Sequence, residues 1–517
     1  MAVPDPPAVT PPGKVAPPAH LPAAAPNRAS DGDVSGVVMR GSALRIASMG
    51  VTNVLVALGA VLLLRYLGVD EFGRYGTVMA LVAIVQGVTD AGLTMTGTRE
   101  MSLVHGDERR RLLSHVLGLR IVLTGAGILV AVLFAAAVGY DSELVAGTAL
   151  AGVGVFLFSV QGAMLLPLAV EMRNGTLGLS EIIRQALMVI GWVLLILVGA
   201  GLDAFFAIQI AVGILLLAIT PFLVGRHHVV RPRWDRQELR TLTAIGLPIA
   251  IAGVVAVIYY RVLTVIVSLV STDEQSGLFV SASRVFEVAY AVPLILVTVI
   301  LPVLTLAARD DESRLRYVMQ RMTEAMSLAG IVVGLVVVGA AETIIVLLGG
   351  EEYREAAPVL QAFGIALVSM FTGSAWSPVL IATGRQKLLA MASLVGLVVV
   401  VVLGFALAPG MGAEGAGIAF AIADWVLLVT LYLALRRSGH GAHLDFRYLL
   451  RLIPIAAVAA AIALIPWTGE VLRTAVAVAV FLGAVWGAGL VPTEMLTLIR
   501  NRGAGPEAAA PTPETTD

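Results

Sequence analysis

A handful of ionisable side chains fall inside long apolar runs, where charge is expensive, and they define the chemistry the chain can offer. Arg261 lies nine residues before the end of a run spanning 244–270, about 14 Å from that end at 1.5 Å per residue and so near a bilayer midplane. Arg284 and Glu287, in the run 279–306, are spaced i to i+3 and share one helix face. Asp90 lies in the second run, Asp424 in the twelfth, and Arg45 three residues into the first. A charge at the centre of a membrane helix costs at least about 2.5 to 3.5 kcal/mol on insertion scales, so it faces either an aqueous cavity or a partner. A guanidinium fork matches phosphate oxygens, and the expectation is a substrate site for a phosphate-bearing anion formed by Arg261, Arg284, Glu287, Asp90 and Arg45. The competing expectation is structural: Arg284 pairs with Glu287, Arg261 pairs with Asp90 or a backbone carbonyl, and Arg45 and Arg120 are interfacial anchors that snorkel.

Composition requires that the elements carrying these residues be membrane helices. The chain has 517 residues, 58% hydrophobic and 13% charged, against about 25% charged in ordinary globular proteins. Its mean hydropathy is +0.93. With 34 Lys and Arg against 35 Asp and Glu, nothing in the balance points to nucleic acid. Cys is absent, which removes disulfides, thiolate metal sites and cysteine nucleophiles. No cofactor or metal is expected. There is no Gly-x-x-x-x-Gly-Lys-Ser/Thr loop, and Gly410-x-Gly412-x-x-Gly415 follows a run of helix-spanning length rather than a short strand. The adjacent His227 and His228 make a poor metal site.

A bilayer core about 30 Å thick takes roughly 20 apolar residues of helix. Fourteen runs of that length follow one another, from 42–64 to 470–492. Segments on the side of the N-terminus hold 28 of the 34 Lys and Arg, which places that side and both termini in the cytoplasm and demands an even number of spans. The expected organisation is a Pro- and Ala-rich disordered arm at 1–37, an N-lobe of six spans at 38–225, and a basic cytoplasmic linker at 226–243. A C-lobe of six spans at 244–435, spans thirteen and fourteen at 436–500, and a disordered cytoplasmic tail at 501–517 complete it. Pro167, Pro248, Pro293, Pro302 and Pro378 interrupt helical hydrogen bonding and mark bends.

An internal repeat supports the two lobes. Asp70-Glu71-Phe72-Gly73-Arg74-Tyr75 after the first span is answered by Asp273-Glu274-Gln275-Ser276-Gly277-Leu278-Phe279 after the seventh. Six spans separate the copies, so they share one orientation, as in parallel repeats about an axis along the membrane normal.

Several short pieces then carry a resemblance. They are Leu64-Arg65-Tyr66-Leu67-Gly68 with Phe72-Gly73-Arg74-Tyr75, Asp90-Ala91-Gly92-Leu93 followed by Arg99-Glu100, and Gly277-Leu278-Phe279 with Ser281-Ala282-Ser283-Arg284. Leu348-Gly349-Gly350-Glu351-Glu352-Tyr353 and Gly410-Met411-Gly412-Ala413-Glu414-Gly415 lie in the second half. In order and spacing these resemble the Wzx-like oligosaccharide flippases of the MOP (multidrug/oligosaccharidyl-lipid/polysaccharide) exporter superfamily. The resemblance implies an all-α polytopic membrane protein of about 14 helices, with two six-helix lobes in a MATE-like arrangement and two extra C-terminal helices. It implies translocation of a polyprenyl-pyrophosphate-linked oligosaccharide for cell-surface polysaccharide biosynthesis. Membrane lipids, a polysaccharide polymerase or glycosyltransferase, and a coupling cation are the partners it suggests. Where the family often carries an Asp after Tyr260-Arg261 this chain has Thr264, which leaves a borrowed cation site in doubt. A cation-coupled multidrug extruder and a membrane glycan polymerase or ligase are the alternatives; the first calls for an excess of cavity carboxylates, the second for a long external loop.

Overall fold

The computed structural model describes residues 31–225, 230–310, 312–439 and 444–490, and the regular elements among them are all helical. In chain order these are α1 (Asp31–Leu103), α2 (Gly106–Ala137), α3 (Ser142–Met164), α4 (Leu166–Val170), α5 (Asn174–Leu197), α6 (Leu202–Val224) and α7 (Arg236–Val270). There follow α8 (Asp273–Asp310), α9 (Glu312–Gly339), α10 (Ala341–Gly349), α11 (Ala357–Ala382), α12 (Gln386–Arg437), α13 (Arg447–Leu464) and α14 (Glu470–Gly487), with a 3-10 turn at Glu351–Ala356 before α11. Twelve helices among the described residues are long and apolar enough to cross a membrane.

Two of the twelve are too long for one crossing. The described apolar part of α1 has 57 residues and α12 has 52, or about 85 and 78 Å at 1.5 Å per residue, against a core about 30 Å thick. Each is interrupted at one glycine with a positive φ, Gly68 (72°) and Gly412 (57°), a backbone region that only glycine enters without strain. Divided there, α1 covers the first two apolar runs of the sequence and α12 the eleventh and twelfth. Gln275 completes the second bend: its Oε1 accepts the Ala413 N–H at 2.8 Å, and a Cβ on Gly412 would lie 2.2 Å from that oxygen. The Gly410-x-Gly412-x-x-Gly415 pattern thus makes a turn between helices.

Other boundaries differ from the apolar runs. The fourth run breaks at Leu165, ahead of Pro167 in α4, and the ninth breaks at Ala340. Helix α2 begins ten residues before its apolar run, at Gly106, with Asp107 and Glu108 in its first turn, where the helix dipole favours acids. The arm expected at 1–37 lies outside the described residues as far as 30, and α1 is already helical at Asp31. The tail lies outside them from 491 onward, as do His227 and His228.

The two copies of the repeat meet face to face. A Cβ on Gly73 would stand 2.1 Å from the Asp273 carbonyl oxygen, and one on Gly277 would stand 2.0 Å from the Val69 carbonyl oxygen. The contact is reciprocal at a shift of 204 residues, so the acidic-glycine motif is the place where one backbone passes directly over the other. Around it the end of the bundle carrying both bends is laced shut. Arg74 reaches Asp141, Glu143 (2.8 Å) and Asp273 (3.2 Å). Arg65 donates to the last carbonyls of α10, Leu347 (2.7 Å) and Leu348 (3.2 Å), and Tyr353 donates to the Leu64 carbonyl at 3.1 Å. Phe72, Phe205, Phe206, Tyr353 and Phe363 are fully buried beneath this layer.

Helices α13 and α14 pack on α9, with Leu452, Ala459, Phe481 and Val485 against Leu328, Ile331 and Leu335. Glu470 at the start of α14 accepts the N–H groups of Glu342 (3.2 Å) and Thr343 (2.7 Å), so its carboxylate caps the N-terminus of α10.

Candidate functional site

Between α1 on one side and α7, α8, α11 and α12 on the other lies a cavity of about 380 Å³. Its α1 wall is made of small and polar side chains, Ala83, Gln86, Gly87 and Asp90. Gly87 lets α1 approach α7, since a Cβ there would fall 2.5 Å from the Val257 methyls.

Three of the sequence-predicted residues meet as one cluster on the wall of this cavity, two of them lining it. Arg261 on α7 binds Glu287 Oε1 through Nη1 at 2.6 Å, and Arg284 on α8 binds Glu287 Oε2 through Nη1 at 2.9 Å. Arg261 and Glu287 line the cavity directly. Each of the three side chains keeps roughly a quarter to a third of its surface uncovered. One carboxylate therefore neutralises two guanidiniums, leaving a positive surplus with solvent access. The i to i+3 pairing of Arg284 with Glu287 matches the structural alternative, whereas Arg261 finds neither Asp90 nor a carbonyl but the same glutamate.

Asp90 lines the cavity too, yet its partner is Arg120 of α2. That arginine is 2% exposed and also donates to Thr94 Oγ1 at 2.8 Å and to the Ser159 carbonyl at 3.5 Å. The expectation that Arg120 snorkels at an interface is corrected here. Arg120 is enclosed between α1 and α3, where Asp90, Thr94 and Ser159 meet it, and a buried cation needs an anionic partner.

Arg45 lies on α1, and its side chain is outside the described residues, as are those of Pro248 and Pro302. Asp424 is 3% exposed and lies off the main cavity, beside a second one of about 250 Å³, where it accepts the Ser369 hydroxyl at 2.6 Å and the Tyr259 hydroxyl at 3.1 Å. Thr264 is buried. Among the described residues, no group of three His, Asp or Glu side chains is placed to hold a metal ion.

At the closed end, outside the helices, Asp141 shows what the lacing does electrostatically. Partial burial pushes its carboxyl up, but the Leu144 N–H and the Arg74 guanidinium outweigh that and hold it below the ordinary aspartate value of 3.8.

Two further features escaped the sequence. One is the burial of Arg120 against Asp90, which no local pattern marks. The other is that Tyr260 and Tyr290 border both cavities; Tyr260 stands next to Arg261 in the chain, but nothing local marks Tyr290.

Comparison with known proteins places this geometry. The family model described as polysaccharide biosynthesis protein matches residues 62–358, more than half of the chain. No curated protein matches it in sequence. Among solved structures, the chain is similar to the lipid II flippase MurJ in an inward closed conformation, with TM-score 0.72 and 14% identity over 89% of this chain and 99% of that one. It is also similar to an inward-facing multidrug resistance MATE family transporter of the MOP superfamily, with TM-score 0.61 and 14% identity over 77% and 98%. A third is the eukaryotic MATE transporter AtDTX14, with TM-score 0.56 and 15% identity over 78% and 97%. The chain has the fold shared by MurJ and the MATE transporters, and it belongs to the polysaccharide biosynthesis protein family.

Proposed function

We propose that this protein is a flippase that carries a polyprenyl-pyrophosphate-linked oligosaccharide across the cytoplasmic membrane for cell-surface polysaccharide assembly. The observation that carries the reading is the Arg261–Glu287–Arg284 cluster on the wall of a cavity between the two halves of the chain. Two guanidiniums sharing one carboxylate can exchange that carboxylate for a pyrophosphate without leaving a bare charge in a low-dielectric interior. The membership of a polysaccharide biosynthesis family and the fold shared with a lipid II flippase support the substrate class.

In this reading both termini lie in the cytoplasm, on the side that holds most of the Lys and Arg, and the laced end of the bundle faces outward. The state described is closed on the outside. The glycan headgroup enters the cavity from the cytoplasmic side while its lipid tail stays in the bilayer. Outward opening then requires the Gly73–Gly277 contact and the Arg74 ion pairs to part, by rocking of one half against the other. Arg45, on the same face of the membrane as the arriving headgroup, belongs to the proposed site as an approach residue, and Asp90, held by Arg120, sets the negative side of the cavity.

Asp424 favours a second reading in the same fold, cation-coupled extrusion of organic cations, because a buried carboxylate held by two hydroxyls suits a cation or proton. Binding in nanodiscs separates the two. The flippase reading expects a fluorescent polyprenyl pyrophosphate to bind and Arg261→Ala to weaken it tenfold or more, with tetraphenylphosphonium failing to compete. Binding of tetraphenylphosphonium alone, insensitive to Arg261→Ala, would transfer the protein to the extruder reading.

A further inference from the structure

Six of the fifteen residues lining the central cavity are aromatic, in a chain where aromatic residues make up 6%. All six come from the second half: Tyr260, Phe279, Phe286, Tyr290, Phe363 and Phe420. They form a wall two rings deep. The four phenylalanines are 2 to 5% exposed and interlock at centroid distances of 5.1 Å for Phe286–Phe420, 5.3 Å for Phe363–Phe420 and 5.5 Å for Phe279–Phe363. In front of them Tyr260 and Tyr290 are only half-buried, 5.6 Å apart and tilted by 33°. Aromatic rings in a core are covered by other side chains at near-crystalline density. These two tyrosines instead border open volume on both sides, because each lines the 250 Å³ cavity of Asp424 as well as the 380 Å³ one.

The wall stands directly beside the cationic cluster. Tyr260 precedes Arg261 in the chain, and Tyr290 follows Glu287 by three residues, one turn along the same face of α8. In a lipid-linked glycan the first sugar ring is bonded directly to the pyrophosphate, so a site that holds the phosphates at Arg261 presents the adjoining ring to these tyrosines. The apolar face of a pyranose is a set of C–H bonds with slight positive charge, complementary to the negative face of an aromatic ring. Its rim hydroxyls have matching groups in the tyrosine hydroxyls, in Gln86 and in Ser283, which line the same cavity. The cavity's volume of about 380 Å³ falls in the range of small-molecule sites.

We propose that Tyr260 and Tyr290 form a stacking platform for the pyranose ring next to the pyrophosphate, so that the cavity selects a glycosylated carrier over the bare one. This rests on the flippase reading and deepens it. An aromatic wall beside carboxylates also suits an organic cation, but at the end of the wall beside Tyr260 and Tyr290 two guanidiniums, Arg261 and Arg284, share the single carboxylate of Glu287, and that local positive surplus disfavours a cationic guest there.

The test compares equilibrium binding of two probes to the full chain in nanodiscs, a polyprenyl pyrophosphate and the same carrier bearing one hexose. The wild type is expected to prefer the glycosylated carrier. Tyr260→Met and Tyr290→Met, which keep apolar volume without the ring, are expected to shrink that preference about two- to tenfold each, while Tyr260→Phe and Tyr290→Phe retain most of it. Arg261→Ala weakens both probes together. Equal wild-type affinity for the two probes would overturn the platform and leave the flippase reading standing, whereas wild-type binding of neither would remove the flippase reading itself. If the Met variants lose both probes in parallel, or bind tetraphenylphosphonium less well while their glycan preference is intact, the tyrosines do not read sugar and the proposal fails.

Discussion

Replacing Glu287 by Gln removes the carboxylate that lies between Arg261 and Arg284, at 2.6 and 2.9 Å, and keeps the volume of the side chain. If the pyrophosphate displaces Glu287 from the guanidiniums during binding, the glutamate is a competitor of the substrate, and its loss tightens binding of an anion. The size follows from the geometry. Unit charges about 4 Å apart at an effective dielectric of about 20 attract by about 4 kcal/mol. The three side chains are 23 to 33% exposed, so solvent screening reduces the net effect to about 1 to 2 kcal/mol. Since about 1.4 kcal/mol is tenfold in affinity, Glu287→Gln is expected to bind a fluorescent polyprenyl pyrophosphate about five- to thirtyfold more tightly than wild type. The gain shrinks as salt is raised. The same variant melts lower, because two partly buried cations lose their partner. Equilibrium binding in nanodiscs across a salt series, with a melting curve alongside, reads both. Unchanged or weaker binding would refute the reasoning, for Glu287 would then orient the arginines for the substrate instead of competing with it.

Removing Asp90 alone strands a buried arginine, so Asp90→Ala is expected to destabilise by about 2 to 4 kcal/mol, and the double variant Asp90→Ala/Arg120→Met by less; melting in detergent decides, and a double variant worse than the single one contradicts the pairing. Gly73→Ala and Gly277→Ala place a Cβ 2.1 and 2.0 Å from facing carbonyl oxygens, which forces the two motif copies apart. Because the chain has no Cys, a single Ser283→Cys reports this cleanly, and either alanine variant is expected to raise its reaction with a membrane-impermeant thiol reagent added from outside. Asp141 has a depressed carboxyl pKa in the folded protein, so its contribution is complete above the unfolded value near 3.8 and disappears as pH falls through the folded value. The melting difference between wild type and Asp141→Asn is therefore constant from about pH 5 to 8 and vanishes in stronger acid, and with Asp141 half exposed it stays below about 1 kcal/mol.

The sequence made the fold legible because membrane helices announce themselves by length: fourteen apolar runs, divided by short polar turns, leave few arrangements. The acidic-glycine motif was legible as a repeat, but that its two glycines, Gly73 and Gly277, lie against each other's backbone segments was not, since a repeated turn does not say what it packs on. Side-chain partnerships were less legible. Which residue Arg261 meets depends on the rotation of α7 against α8, and helices apolar on nearly every face carry no stripe that fixes rotation. Glu287 therefore looked committed to Arg284, its neighbour on the same helix, when it serves both. Arg120 was misplaced because the groups that cover it, Asp90 and Thr94 of α1 and Ser159 of α3, come from other helices. The aromatic wall gathers residues from 260 to 420, and no local window contains it.

The claim on which all of this turns is that an anionic lipid-linked glycan crosses through the cavity that holds Arg261. The most direct test reconstitutes the purified protein in liposomes with a fluorescent polyprenyl-pyrophosphate oligosaccharide. It follows protection of the glycan from an external cleaving enzyme for wild type and Arg261→Ala. Transbilayer movement by the wild type that is lost in the variant is the predicted result. No movement under any imposed ion gradient, together with cation-driven efflux of an organic dye, would contradict the account and leave Arg261 a structural charge.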